Sequence, residues 1–132
     1  MHRRSLIVRT KLWLPLVLYM TAVFCLSADT DPLPVLTTQV WDKLLHGIEY
    51  GVLALLLCHA LSGEGVQGLD AIVLAVALTS LYAATDEYHQ LSVPFRDANI
   101  RDWLADTIGA MIGAAVYTAG RILAFAAATR RA

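Results

Sequence analysis

Residues 69–91 read LDAIVLAVALTSLYAATDEYHQL. The stretch is apolar from Ala71 to Ala84 apart from Thr79 and Ser80, and then turns ionisable at Asp86, Glu87 and His89. At 1.5 Å of rise per residue, a helix of this length crosses a hydrocarbon core of about 30 Å. Asp86, His89 and Gln90 fall at i, i+3 and i+4, so a helix presents them on one face. The segment therefore predicts a membrane span that ends in a cluster of chemically capable groups.

Three further apolar runs flank it, giving spans at about 12–28, 44–61, 69–91 and 103–128. Arg3, Arg4, Arg9 and Lys11 precede the first run, and Arg130 and Arg131 close the chain. A basic start followed by an apolar run is also the pattern of a signal peptide. Leu26 is too large for a cut after Ala28, and Phe24 before Cys25 spoils a lipoprotein site, so the run reads as a first transmembrane helix. Between the spans lie a loop from Asp29 to Trp41 with Pro32 and Pro34, a glycine-rich turn from Ser62 to Gly68, and a polar loop from Ser92 to Arg101 with Pro94. Such punctuation stops helices. The expected fold is all-α: a polytopic membrane protein built as an antiparallel bundle of four transmembrane helices. Residues 12–128 form the single domain, between a basic N-terminus, 1–11, and a basic tail, 129–132. Backbone groups in lipid must be satisfied within each helix, which excludes an open sheet.

Composition agrees. The 132 residues are 58% hydrophobic and 16% charged, outside the range of ordinary soluble domains. The basic residues are few and not interleaved with aromatics on a polar face, so no nucleic-acid partner is expected. Membrane lipids are the expected surroundings. Four spans put both termini on one side, with Arg3, Arg4, Arg9, Lys11, Arg121, Arg130 and Arg131 against Glu64 and Asp70. The other side holds Lys43, Arg96 and Arg101 against Asp29, Asp31, Asp42, Glu49, Asp86, Glu87, Asp97, Asp102 and Asp106. Seven bases less two acids is about +5, and three less nine is about −6. The positive-inside rule then predicts cytoplasmic termini, an outward-facing polar end, and the bacterial cytoplasmic membrane as the location. Cys25 and Cys58 lie at depths too different for a disulfide and read as packing residues. Trp41 and Trp103 are expected to anchor the outer interface, and Trp13 the inner one.

Charged groups at membrane depth are costly unless paired or hydrated, which makes them functional candidates. Asp42, His46 and Glu49 form one helical stripe; Asp102, Asp106, Gly109, Gly113 and Gly120 form another; Tyr82, Asp86 and His89 or Gln90 form a third. Asp42 and Asp102, at helix starts, could equally be N-caps, and Lys43 could snorkel. Gly47 with Gly51 and Gly109 with Gly113 are small-xxx-small pairs that permit close helix approach, which suggests that the fourth helix is central. Asp86, His89, His46 and Asp106 could hold a divalent cation, but no spacing is diagnostic, and no metal or cofactor is assigned. Lys43, Arg96 and Arg101 could hold a phosphate or carboxylate head group. His46 with Asp86 is the expected acid–base pair, if a reaction is catalysed. The bland alternative is a polar network that only fixes helix register.

The ordered set Asp42-Lys43-x-x-His46, Glu49-Tyr50-Gly51, Asp86-Glu87-x-x-Gln90, Val93-Pro94-x-Arg96 and Asp102-x-x-x-Asp106-x-x-Gly109 resembles the VanZ-like family of small membrane proteins. The likeness runs from about Asp42 to Gly113. Family members often carry Asn where this chain has Asp106. The resemblance implies a cell-envelope role; the family takes its name from a protein associated with low-level teicoplanin resistance, which suggests an influence on glycopeptide susceptibility. It brings no cofactor and no catalytic role. The leading expectation is a site for an anionic envelope ligand, a lipid head group or wall precursor, with Asp42, Lys43, Glu49, Glu87, Gln90, Arg96, Arg101, Asp102 and Asp106 around His46 and Asp86. The rivals are a small proton- or ion-coupled transporter, which an oligomer could supply with a path, and a structural partner of another membrane protein.

Overall fold

The computed structural model describes residues 5–30 and 39–131, with side chains in the second segment from Asp42 onward. Arg3, Arg4, Asp31, Pro32, Pro34 and the Trp41 side chain lie outside the described residues. Four helices follow one another: α1 Leu6–Ser27, α2 Gln39–Glu64, α3 Gly68–Gln90 and α4 Ile100–Thr129. All four are long and apolar enough to cross a membrane. The described residues contain no strand.

The helices run past the apolar stretches. α1 takes in Arg9 and Lys11, whose unbranched stems suit a helix and let the charged heads reach water. α2 keeps Ser62 and Gly63 helical and stops one turn later than the glycines suggest. Gly65, with φ of 101°, makes the stop. Its N–H donates to the Ser62 carbonyl at 3.2 Å and that of Val66 to the Leu61 carbonyl at 3.0 Å, the paired bonds of a Schellman cap. α4 has 30 residues, about 45 Å of helix, so its last turns stand beyond a bilayer core.

Cross-links fix the antiparallel order. Arg9 on α1 forms an ion pair of 2.9 Å with Glu64 at the end of α2, and the Trp13 indole donates to the same carboxylate at 3.1 Å. At the opposite end Gln90 donates to the Ser27 hydroxyl at 3.2 Å. The beginning of α1 and the end of α4 therefore share one end of the bundle, and the interhelix loop of α3–α4 lies at the other.

The hub is α2, which packs on all three other helices and more extensively than α3, the other helix that touches all three. The fourth helix, expected to be central, shares the most extensive contacts of the bundle, with α2 and then α3, but does not reach α1. α2 is the hub because it has two packing surfaces: a glycine face toward α4, and Tyr50, Leu53, Leu57, Cys58 and Leu61 buried in the apolar core. Between α2 and α4 the glycines meet in register. A Cβ on Gly109 would collide with the Gly47 backbone, and one on Gly113 with the Gly51 backbone. Lipid supplies no hydrophobic drive between helices, so such close backbone packing is a main source of association. Gly120 faces open space and takes no part in this stripe.

Candidate functional site

The ladder of glycines brings the first turns of α2 and α4 together, and with them their polar residues. Lys43 bonds Asp42 at 3.0 Å and forms an ion pair with Asp102 on α4. One turn deeper, His46 Nδ1 lies 3.0 Å from Asp106 Oδ1, while His46 Nε2 is 3.8 Å from Asp42 Oδ1. Asp106 is almost wholly buried, at 1% exposure. Lys43 thus ties two helices together and does not snorkel.

Neither Asp42 nor Asp102 is an N-cap. α2 begins three residues before Asp42, and α4 is capped by Asn99, whose side-chain oxygen accepts from the Arg101 backbone N–H at 3.0 Å. With the cap supplied by Asn99, Asp102 is left in the first helical turn, buried against Lys43.

α3 contributes from the third side. Asp86, Glu87 and Gln90 are buried, at 6%, 7% and 4% exposure. Glu87 Oε2 accepts the Asn99 backbone N–H at 2.6 Å, which holds the α3–α4 loop against the helix. Glu87 Oε1 and Asp86 Oδ1 have no hydrogen-bond partner among the described residues. His46, Glu87 and Asp106 each place one ligand-type atom within 4.8 Å of the others. Asp86 is the carboxylate that acts most strongly on the buried Tyr50 hydroxyl, and Glu49 is within the electrostatic reach of His46, Asp86, Asp106 and Arg96. His46 therefore takes Asp106, not Asp86, as its hydrogen-bonded carboxylate. His89 stays out of the cluster: its ring stacks on Phe24 of α1, with centroids 4.5 Å apart.

Arg96 and Arg101 sit at the rim. The Val93-Pro94-Phe95-Arg96 turn is closed by the Arg96 N–H donating to the Val93 carbonyl at 3.2 Å, with Phe95 at a φ of 65°. Proline second and positive φ third is the type II pattern, in which glycine is the usual third residue. The backbone accepts a left-handed phenylalanine here, 97% exposed, next to Arg96. The Arg96 Nε is buried without a partner. Arg101 is exposed.

Four residues have supporting roles that the sequence did not assign: Ser27, Tyr19, Tyr82 and Asn99. Ser27 is an unremarkable helix-end serine until Gln90 reaches it. Tyr19 and Tyr82 pin α1 to the site-bearing helices, donating to the carbonyls of Glu49 at 3.1 Å and Met20 at 2.8 Å. Asn99 was readable as a cap, because it precedes an apolar-periodic segment beside two acidic residues.

The fold and this cluster define a four-span membrane protein with a charged site buried at one end of its bundle. The VanZ/LLP1 family model matches residues 5–124, nearly the whole chain, and the protein belongs to that family. Comparison with curated proteins and with solved structures found no match.

Proposed function

We propose that this protein binds the anionic head of a lipid or lipid-linked envelope molecule at the polar end of its bundle. The observation that carries the reading is the one-endedness of the site. Asp42, Lys43, His46, Glu49, Asp86, Glu87, Asp102 and Asp106 converge at one end, whereas the buried core beyond them is mainly Leu53, Ala54, Leu57, Ala75 and Ala114, with Thr79 and the half-buried Ser80–Thr107 pair as its polar groups among the described residues. A conduction path would need polar groups along the whole bundle. This core favours a binding surface over a transporter.

Arg96 is the residue to engage the anion, because its Nε lacks a hydrogen-bond partner among the described residues, and exposed Arg101 adds charge to the same loop–helix junction. Lys43 is already held by Asp42 and Asp102 and serves to shape the site. A groove of about 560 Å³ starts at Lys43 and runs along Leu44, Gly47, Gly51, Ile108 and Ile112 on the membrane-facing side of α2 and α4. It offers an acyl chain a place below the head group. The charge difference between the two ends supports an outward orientation of this one, toward cell-envelope lipids, wall precursors and the glycopeptides that act there.

Native mass spectrometry of the detergent-released protein tests this. Wild type should retain an anionic lipid or lipid-linked species, Arg96→Ala should lose it while staying folded, and Arg121→Ala, at the opposite end, should keep it. Equal retention by Arg96→Ala and wild type overturns the proposal.

A further inference from the structure

The charge balance of the cluster is unfinished. Six carboxylates, those of Asp42, Glu49, Asp86, Glu87, Asp102 and Asp106, meet three basic side chains, Lys43, His46 and Arg96. Lys43 is committed to Asp42 and Asp102. Arg96 lies within electrostatic range of Glu49 but forms no ion pair with it among the described residues. That leaves His46 to serve Asp106, Glu87 and Asp86. Buried carboxylates without partners are costly, and a cation is one of the few things that relieves them.

The positions of the atoms say where such a cation belongs. Two sets are close enough: Asp42–His46–Asp102 and His46–Glu87–Asp106. The first already holds the Lys43 ammonium between its two aspartates. The second holds no lysine or arginine, and its members are the deeper ones. Glu87 is 93% buried by its 7% exposure; the Asn99 N–H fixes Oε2 and leaves Oε1 with no hydrogen-bond partner. This is how an outer-shell hydrogen bond orients a carboxylate for a metal. Asp86, whose carboxylate faces the Tyr50 hydroxyl, stands next to the set, within electrostatic range of Glu87 and Asp106. Two ligands each about 2.1 Å from an ion lie about 3.0 Å apart at right angles, as in an octahedral site, and about 3.4 Å apart in a tetrahedral one. His46 Nδ1 and Asp106 Oδ1 are 3.0 Å apart.

We propose that His46, Glu87 and Asp106 form a binding site for one divalent first-row metal ion, of the Zn2+ or Mn2+ kind. One imidazole and two carboxylates suit this class, and three protein ligands leave positions open for water or a ligand oxygen. The inference goes beyond the head-group reading and does not depend on it.

The test uses the full chain purified in detergent, stripped with EDTA and equilibrated with Zn2+ or Mn2+, with metal content read by elemental mass spectrometry. Wild type retains about one ion per chain, and binding weakens ~10-fold or more in Glu87→Gln and in Asp106→Asn. Asp97→Asn, in the exposed loop, binds as wild type does. Circular dichroism and gel filtration establish that each variant is folded. Mn2+-loaded wild type carries the proposal even where a variant does not fold, because pulsed EPR then shows coupling to a coordinated imidazole nitrogen. No retained metal in wild type, no nitrogen coupling, or unweakened binding in a folded Glu87→Gln overturns the site. Neither readout contains a lipid, so failure of head-group binding at Arg96 leaves this result standing, and the reverse holds as well.

Discussion

The two ends of the bundle solve the problem of charge in opposite ways. At the end that holds the chain termini, charge meets charge at the surface: Arg9 reaches Glu64 across α1 and α2, and Trp13 adds a third contact. Those groups lie where water can share the load, and such a pair contributes little. At the other end, Asp86, Glu87, Asp102 and Asp106 are buried among three helices; Asp102 Oδ1 is held by the Lys43 ion pair, and Asp86 Oδ1 and Glu87 Oε1 have no hydrogen-bond donor among the described residues. The same four helices pack at both ends, so packing does not call for the buried charge. A structure that needed only register could have used amides or apolar residues there. The contrast is between a buried charged cluster at one end and a surface ion pair at the other.

The sharpest way to break the comparison is His46→Ala. It leaves Asp106 buried without its partner, and stability in detergent should fall by about 3 kcal/mol, read as a lowered thermal midpoint. A midpoint equal to wild type would show that the cluster is hydrated and that its two ends differ less than the burial suggests. Next in size is Gly109→Ala, whose Cβ has no room against the Gly47 backbone and should cost about 2 kcal/mol. Gly120→Ala, on the same helix but in open space, should instead be neutral or stabilising by up to about 1 kcal/mol. If both alanines behave alike, the close approach of α2 and α4 is wrong. Phe95→Gly should stabilise by about 1 kcal/mol by relieving the left-handed φ, while weakening anionic-lipid retention if the turn aims Arg96. The smallest effect is expected at the other end: Arg9→Ala should leave the midpoint unchanged and remove only the contact to Glu64.

Much of the architecture was legible because lipid reduces the alternatives. Four apolar runs of spanning length can only become helices, and Pro94 and Gly65 mark where chain must turn. The small-xxx-small pairs Gly47 with Gly51 and Gly109 with Gly113 were also visible, since glycine at four-residue spacing has a direct steric meaning, but not that the two pairs meet each other. The stripe could not be extended safely to Gly120, because spacing gives the face but not what lies opposite it. Site residues were legible as a set for a related reason: charge inside an apolar run is expensive wherever it points. Their partners were not. His46 could have reached Asp86 or Asp106, and Asp102 could have been a cap, until Asn99 took the cap and the glycine contact set the height of α4 against α2.

Sequence by itself determined the four helices, the charge difference between the two ends, and the residues that gather at one of them. Those follow from local quantities: length against bilayer thickness, the cost of charge in hydrocarbon, and helical periodicity. Tertiary structure decided that α2 is the hub, that Lys43 joins Asp42 to Asp102, that His46 meets Asp106, and that Glu87 and Asp86 keep oxygens to spare. These depend on how far one helix slides along another, and a shift of one turn, about 5.4 Å, would exchange every partner in the cluster. Only the contact of glycine backbone with glycine backbone fixes that distance.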